Sequence, residues 1–252
     1  QTAAHAASRA VALAPKSTSA RDVQIVALSE AGDNDALLRA LHAAHLQFPE
    51  TTRYFAGLIE ATIQSGNTTE AGKLIERALG RSQKDSNLLR NLAVFSLQIE
   101  RPVLAKKALV KLDKLPDQHD VAQLLLGRLA AQQNKLHQAI RHFGEISSQS
   151  DHYAPARILM AAAYAQLDMT GALQSLDIAL SEPIDTADKQ RITLAKAGLL
   201  QSQGLNEQAL SSLNQAAARW PNAHDIQLQR AMVLMKFNRT VEAQELLRQV
   251  IK

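Results

Sequence analysis

Cysteine is missing from all 252 residues. That excludes a disulfide framework, thiolate catalysis and cysteine-ligated zinc, and it fits an oxidising envelope compartment. Aromatic residues are only 4% of a chain that is 46% apolar, so a core must be built from alanine and aliphatic side chains. No run of about 18 continuous apolar residues occurs, which leaves no candidate membrane-spanning helix. A surplus of one charge is lacking too. Twenty-eight Lys and Arg stand against 24 Asp and Glu, well mixed, for a net +4; no nucleic-acid partner is expected of so even a balance. Gly-rich phosphate loops, the G-x-S-x-G elbow and the strand–helix alternation that would position either are absent. The first fourteen residues carry neither an initiator Met nor a secretory leader, the start expected of a processed or excised chain.

What is present is a period. Alanine returns at positions 3, 36, 71, 105, 139, 172, 209 and 243. Steps of about 34 residues predict a stack of helix hairpins, one hairpin per repeat. In a 34-residue unit the alanine takes position 20, in the second helix. Four residues on come Ala7, Ala40, Ile75, Leu109, Phe143, Leu176, Leu213 and Leu247. Three further on come Ala10, Ala43, Ala78, Leu112, Ile146, Ala179, Ala216 and Val250. Such offsets share one helical face, expected to bury against first helices. Position 8 of the first helix reads Ile25, Ile59, Ala93, Gly127, Ala161, Ala197 and Ala231, mostly small, so the paired helices can approach closely. Gly32, Gly66, Gly204, Asn134 and Asn238 mark turns that need a left-handed residue. Pro15, Pro49, Pro116, Pro183 and Pro221 close second helices, whereas Pro155 reads as a first-turn proline.

These residues resemble the tetratricopeptide repeat, as in Gly127, Asn134, Ala139, Phe143 and Ile146, or Ala197, Gly204, Ala209, Ala216 and Pro221. The resemblance covers essentially the whole chain. It implies an all-α solenoid, a right-handed superhelix of antiparallel helix pairs with a concave groove. The expected organisation is a single array over 1–252. A lone helix at 1–14 precedes repeats at about 18–51, 52–85, 86–119, 120–153, 154–189, 190–223 and 224–252. The unpartnered first helix, and an end at Leu246, Leu247, Val250 and Ile251 without a polar cap, read as a window from a longer array.

One irregularity bears on the groove. The bulky residue at position 4, Phe55 or Leu89, gives way to Gln123, Arg157, Thr193 and Gln227, while position 5 becomes Leu124, Ile158, Leu194 and Leu228. Either these first helices turn by about 100°, one residue's worth, with the stripe still core, or position 5 keeps its direction and the C-terminal groove is apolar.

No constellation carries catalysis, and no cofactor or metal is implied. His42 and His45 share a helical face but lack a third ligand and the zinc-helix glutamate. Asp113, Asp117 and Asp120 fit capping in an inter-repeat turn. Lys106, Lys107, Lys111 and Lys114 read either as a patch for an anionic partner or, in preference, as a solvated outer face. Gln64, Gln98, Gln132 and Gln166 recur at position 13. They could form an amide ladder for peptide backbone or sugar hydroxyls, although glutamine is also an ordinary helix former.

Two branches of the resemblance can be tested. The carboxylate clamp of co-chaperone repeats is not here, because only Asn91 matches it. The asparagine ladder of O-GlcNAc transferases is not here either, with one Asn in seven places. The Ala- and Leu-rich stretches 124–130 and 194–200 are similar to bacterial envelope arrays, such as the repeat lipoproteins of exopolysaccharide and PEP-CTERM sorting systems. That likeness implies a non-enzymatic scaffold for a protein or peptide partner at the periplasm or outer-membrane periphery. The expected groove residues are Arg53, Glu60, Gln64, Asn87, Arg90, Gln98, Arg128, Gln132 and Gln166. The alternative is a substrate-recruiting segment of a larger enzyme such as a glycosyltransferase. Direct polysaccharide binding is disfavoured by the few aromatics; the sole tryptophan, Trp220, sits at a repeat junction.

Overall fold

The computed structural model describes residues 2–81 and 84–250. Within them lie fifteen helices and no strand. In chain order they are α1 (Thr2–Leu13), α2 (Thr18–Glu30), α3 (Asn34–Gln47), α4 (Thr52–Gln64), α5 (Thr68–Arg81), α6 (Ser86–Gln98), α7 (Pro102–Leu112) and α8 (His119–Gln132). There follow α9 (Leu136–Gly144), α10 (Tyr153–Ala165), α11 (Met169–Ser181), α12 (Thr186–Ser202), α13 (Asn206–Arg219), α14 (His224–Lys236) and α15 (Thr240–Val250). None is long and apolar enough to cross a membrane.

Two compact units divide the chain, Gln1–Ala122 and Gln123–Lys252. In the first, α2 with α3, α4 with α5 and α6 with α7 form hairpins; α4 also packs on α6, and α5 on α7. In the second, α10 with α11, α12 with α13 and α14 with α15 do the same, and α10, α12 and α14 form a row.

The small-residue register explains the stacking. Ala71, Ala105, Ala139, Ala172 and Ala209 are all fully buried, as are Ile75, Leu109, Phe143 and Leu213 four residues on. Each of these larger side chains contributes about 1.5–3 kcal/mol by leaving water. Position 8 is equally closed: Ala93, Ala161, Ala197 and Ala231 are buried. Gly127 is the extreme case, because an added Cβ would lie 2.4 Å from the Phe143 ring.

The first two alanines break the pattern. Ala3 and Ala10 are exposed, and Ala36 and Ala43 are half-buried. In α3 the buried face is Leu37, Ala40, Leu41 and Ala44, and in α1 it is Ala7 and Val11, so Ala7 and Ala40 are inward as expected. The cap sets this register. Asp33 accepts from the Ala36 N–H at 2.9 Å, and four residues past the cap comes Leu37, just as Ala71 follows Asn67 and Ala172 follows Asp168. Counting alanines therefore misplaced α3 by one residue. The side chain of Val250, and Ile251, lie outside the described residues.

Turn chemistry follows the sequence closely. Gly66 has φ +81°, and Asn134 and Asn238 have φ +56° and +57°, conformations that these residues adopt at the least steric cost. The α6–α7 turn places Glu100 at φ +56°, a residue that sequence gave no reason to suspect. The aspartates after α7 do not act as N-caps: Asp113 is the C-cap of α7 and bonds His119 at 2.9 Å, while Asp117 takes φ +58°. Pro155 does fall in the first turn of α10.

Position 4 is buried at Gln123 and Thr193 and half-buried at Arg157 and Gln227. Gln123 is satisfied by His142 at 2.7 Å, and Thr193 by donating to the Lys189 carbonyl at 2.8 Å. Arg157 lays its guanidinium over the Tyr153 ring, 4.6 Å from its centroid. Position 8 stays buried, so these helices have not turned by a full residue, yet the stripe is core at Leu124, Ile158 and Leu194, as the core reading expected. Position 5 is apolar in its own right: Leu124 packs with Phe143 and Ile146, Ile158 and Leu194 lean on their cores, and Leu228 is left open.

Candidate functional site

The open face of the first helices is the candidate site. Burying positions 4 and 8 against the second helices turns positions 9 and 13 outward. In the first unit position 9 is Val26, Glu60 and Val94, all exposed. In the second it is Arg128, Ala162 and Met232, exposed, and Gly198, half-buried. Val26, Val94 and Met232 each keep 50–55% of their surface in water, an exposure that buried neighbours such as Ile59 and Ala93 do not share.

In the first unit, the row α2, α4, α6 carries a polar network. Arg53 donates from Nη2 to Asp22 Oδ2 at 2.7 Å. The buried Tyr54 places its hydroxyl 3.0 Å from Asp22 Oδ1 and 3.1 Å from the Thr18 carbonyl, one proton shared between two acceptors. Burial, the largest cause, raises the Tyr54 hydroxyl above the ordinary phenol range. Arg53 also sits 5.1 Å over the Tyr54 ring. One helix further, Arg90 donates to Asn87 Oδ1 at 2.7 Å. Glu60 stands between these pairs, exposed and without an ion pair among the described residues.

The glutamine column is exposed at each place. Gln64, Gln98 and Gln132 end α4, α6 and α8, while Gln166 is the C-cap of α10. None of the four amides bonds another side chain among the described residues. In the second unit the row α10, α12, α14 is apolar instead: Ile158 and Ala162, Leu194 and Gly198, Leu228, Met232 and Met235. Leu228, Met232 and Met235 are each about half exposed.

Sequence reasoning passed over Asp22 and Tyr54 as site residues. Tyr54 carries no periodic signal, and Asp22 gains its role only because α4 sets Arg53 beside it.

His42 and His45 do not join in a metal site. His45 stacks on Phe55, with centroids 4.2 Å apart and planes 16° off parallel. Groups of three or more His, Asp or Glu that could hold a metal are absent among the described residues.

Hairpins stacked through alanines at a 34-residue spacing, with one row of helices left open, settle the architecture. The fold is that of a tetratricopeptide-repeat solenoid. No protein-family model and no curated protein matches the sequence; the likeness is to solved structures. The tetratricopeptide-repeat protein YrrB is 21% identical, with a TM-score of 0.51 over 75% of this chain and 97% of its own. A tetratricopeptide-repeat protein from Parabacteroides merdae is 16% identical, with a TM-score of 0.52 over 90% and 89%. Pseudomonas aeruginosa PilF is 18% identical, with a TM-score of 0.51 over 86% and 97%. At these identities what is shared is the tetratricopeptide-repeat fold.

Proposed function

We propose that the chain is a non-catalytic docking scaffold that holds an extended segment or a helix of another protein on its open first-helix faces. The observation that carries this reading is the exposure of the position-9 side chains in each unit, Val26, Glu60 and Val94 in the first and Ala162 and Met232 in the second. Apolar groups held in water beside charged and amide groups supply both the burial and the orienting bonds of a peptide site. The structure of YrrB is described as having an unusual peptide-binding site, which agrees with such a use of this fold. Many shallow contacts of about 1 kcal/mol each would share the binding energy. In this reading Arg53, Glu60, Asn87, Arg90 and the glutamines of the first unit orient a bound segment there, and the aliphatic row of the second unit takes apolar side chains. A role in exopolysaccharide export or protein sorting at the bacterial envelope rests on the Ala- and Leu-rich composition and the lack of cysteine.

Peptides selected from a displayed random library against the purified chain test the reading. They should lose about fivefold or more in affinity for either E60K/R90E or A162E/M232E, and bind K106E/K107E, on the second helix α7, like the parent. Selected peptides that bind all three variants alike would refute it.

A further inference from the structure

Away from the first-helix faces, the first unit holds an open cleft of about 750 Å³ between Lys84 and Ser86 on one side and the end of α7 with the residues after it on the other. Its chemistry is one-sided. Lys84, Lys111 and Lys114 line it, with Ser86 and Gln118, and Leu115 and Pro116 form an apolar wall. Among the described residues no carboxylate lines it. The neighbouring Asp85 is occupied as the N-cap of α6, accepting from the Leu88 N–H at 2.9 Å, and Asp113 bonds His119. Among the described residues neither Lys84 nor Lys114 has a carboxylate within 4 Å. Lys111 is fixed in place by donating to the Leu79 carbonyl at 2.8 Å, at the end of α5. Three ammonium groups around one concavity focus a positive potential there and attract an anion.

A second observation narrows the ligand. Gln118 Oε1 is buried without a hydrogen-bond partner, while its amide nitrogen donates to the Asp117 carbonyl. A buried acceptor without a partner is costly until something donates to it. A fully ionised phosphate cannot donate. A peptide can, through its backbone N–H, and it also brings carboxylates for the lysines and an aliphatic side chain for Leu115 and Pro116.

We infer that this cleft binds an acidic peptide segment, with Lys84 and Lys114 pairing with its carboxylates and the Gln118 amide turning its buried oxygen outward to accept from its backbone. The site is separate from the first-helix faces and stands or falls independently of them. Of the four lysines that cluster on and just after α7, Lys111 and Lys114 serve the cleft, whereas Lys106 and Lys107 remain on the solvated surface.

The test is fluorescence anisotropy of the full chain with a labelled peptide of alternating Glu and Leu, against a Gln–Leu peptide and inorganic polyphosphate. The Glu–Leu peptide should bind best of the three and weaken as salt is raised. K84E/K114E should weaken it about tenfold or more, and Q118L about threefold. K106E/K107E, with the same change of charge but on α7 outside the cleft, should stay within about twofold of the parent. All these side chains except Gln118 are exposed, so thermal melts should show both double variants folded. No binding of the Glu–Leu peptide, equal losses in the two double variants, or tighter binding of polyphosphate would each overturn the assignment.

Discussion

Gly127 offers the sharpest test of the packing, because replacing a helical glycine by alanine ordinarily stabilises. Alanine is the better helix former by about 1 kcal/mol. At Gly127 the new Cβ would sit 2.4, 2.6 and 2.9 Å from three carbons of the Phe143 ring, where carbon atoms ordinarily rest about 3.5–4.0 Å apart. The ring must therefore retreat by about 1 Å, and it has nowhere to go: Phe143 is fully buried among Leu124, Ala130, Ala139, Ile146 and Ala156. Overpacking of this kind costs about 1–3 kcal/mol. Three clashing atoms on a rigid ring put the cost in the upper half of that range, so G127A should be net destabilising by about 1–2 kcal/mol. Gly198, in the same unit, is the control. Nothing lies within 4 Å of its added Cβ, so G198A should stabilise by about 0.5–1 kcal/mol. F143L should relieve part of the G127A penalty, which a double-mutant cycle reads as coupling. Urea unfolding followed by circular dichroism supplies the midpoints. A G127A midpoint at or above the parent's would show that helix α8 and the Phe143 ring are not packed as described.

Three further outcomes follow from single residues. Burial, then Arg81, His42 and Arg77, hold His45 below its ordinary pKa of 6.5, so the unfolded chain binds its proton first as pH falls. The stability that neutral His45 contributes is complete above pH 6.5 and is lost below it, as pH drops through the depressed folded value; H45F, which keeps an aromatic ring against Phe55, should flatten the fall in melting temperature between pH 7.5 and 5.5, and an unchanged slope would contradict this. Glu100 holds φ +56°, a strained place for a side chain, so E100G should raise stability by about 0.5–1 kcal/mol in urea melts, and a loss would count against the turn geometry. Asp185 caps α12 by accepting from the Asp188 N–H at 2.7 Å; D185A should cost about 1 kcal/mol, checked by the same melts.

Sequence periodicity carried the interior of the array and failed at its start, for a physical reason. From Ala71 onward each second helix has a small residue where two layers close on each other, so composition and burial agree. In α1 and α3 alanine is abundant on every face, and identity no longer marks the inward side; the cap at Asp33 does, and it selects Leu37. The same limit governs the site. Exposed position-9 residues follow from helix geometry once positions 4 and 8 are known to be inward, so Glu60 and Arg128 were legible. The Arg53–Asp22–Tyr54 network was not, because it joins α2 to α4 across 31 residues of chain. The lysine cleft shows the point most plainly. In the sequence alone Lys106, Lys107, Lys111 and Lys114 are equivalent charges within nine residues, on and just after α7. What separates them is Lys84, which lies just before α6, and the unpartnered side-chain amide oxygen of Gln118, just before α8. A binding site made where the end of one helix meets residues of two connections has no period of its own, and a sequence read by its repeats passes over it.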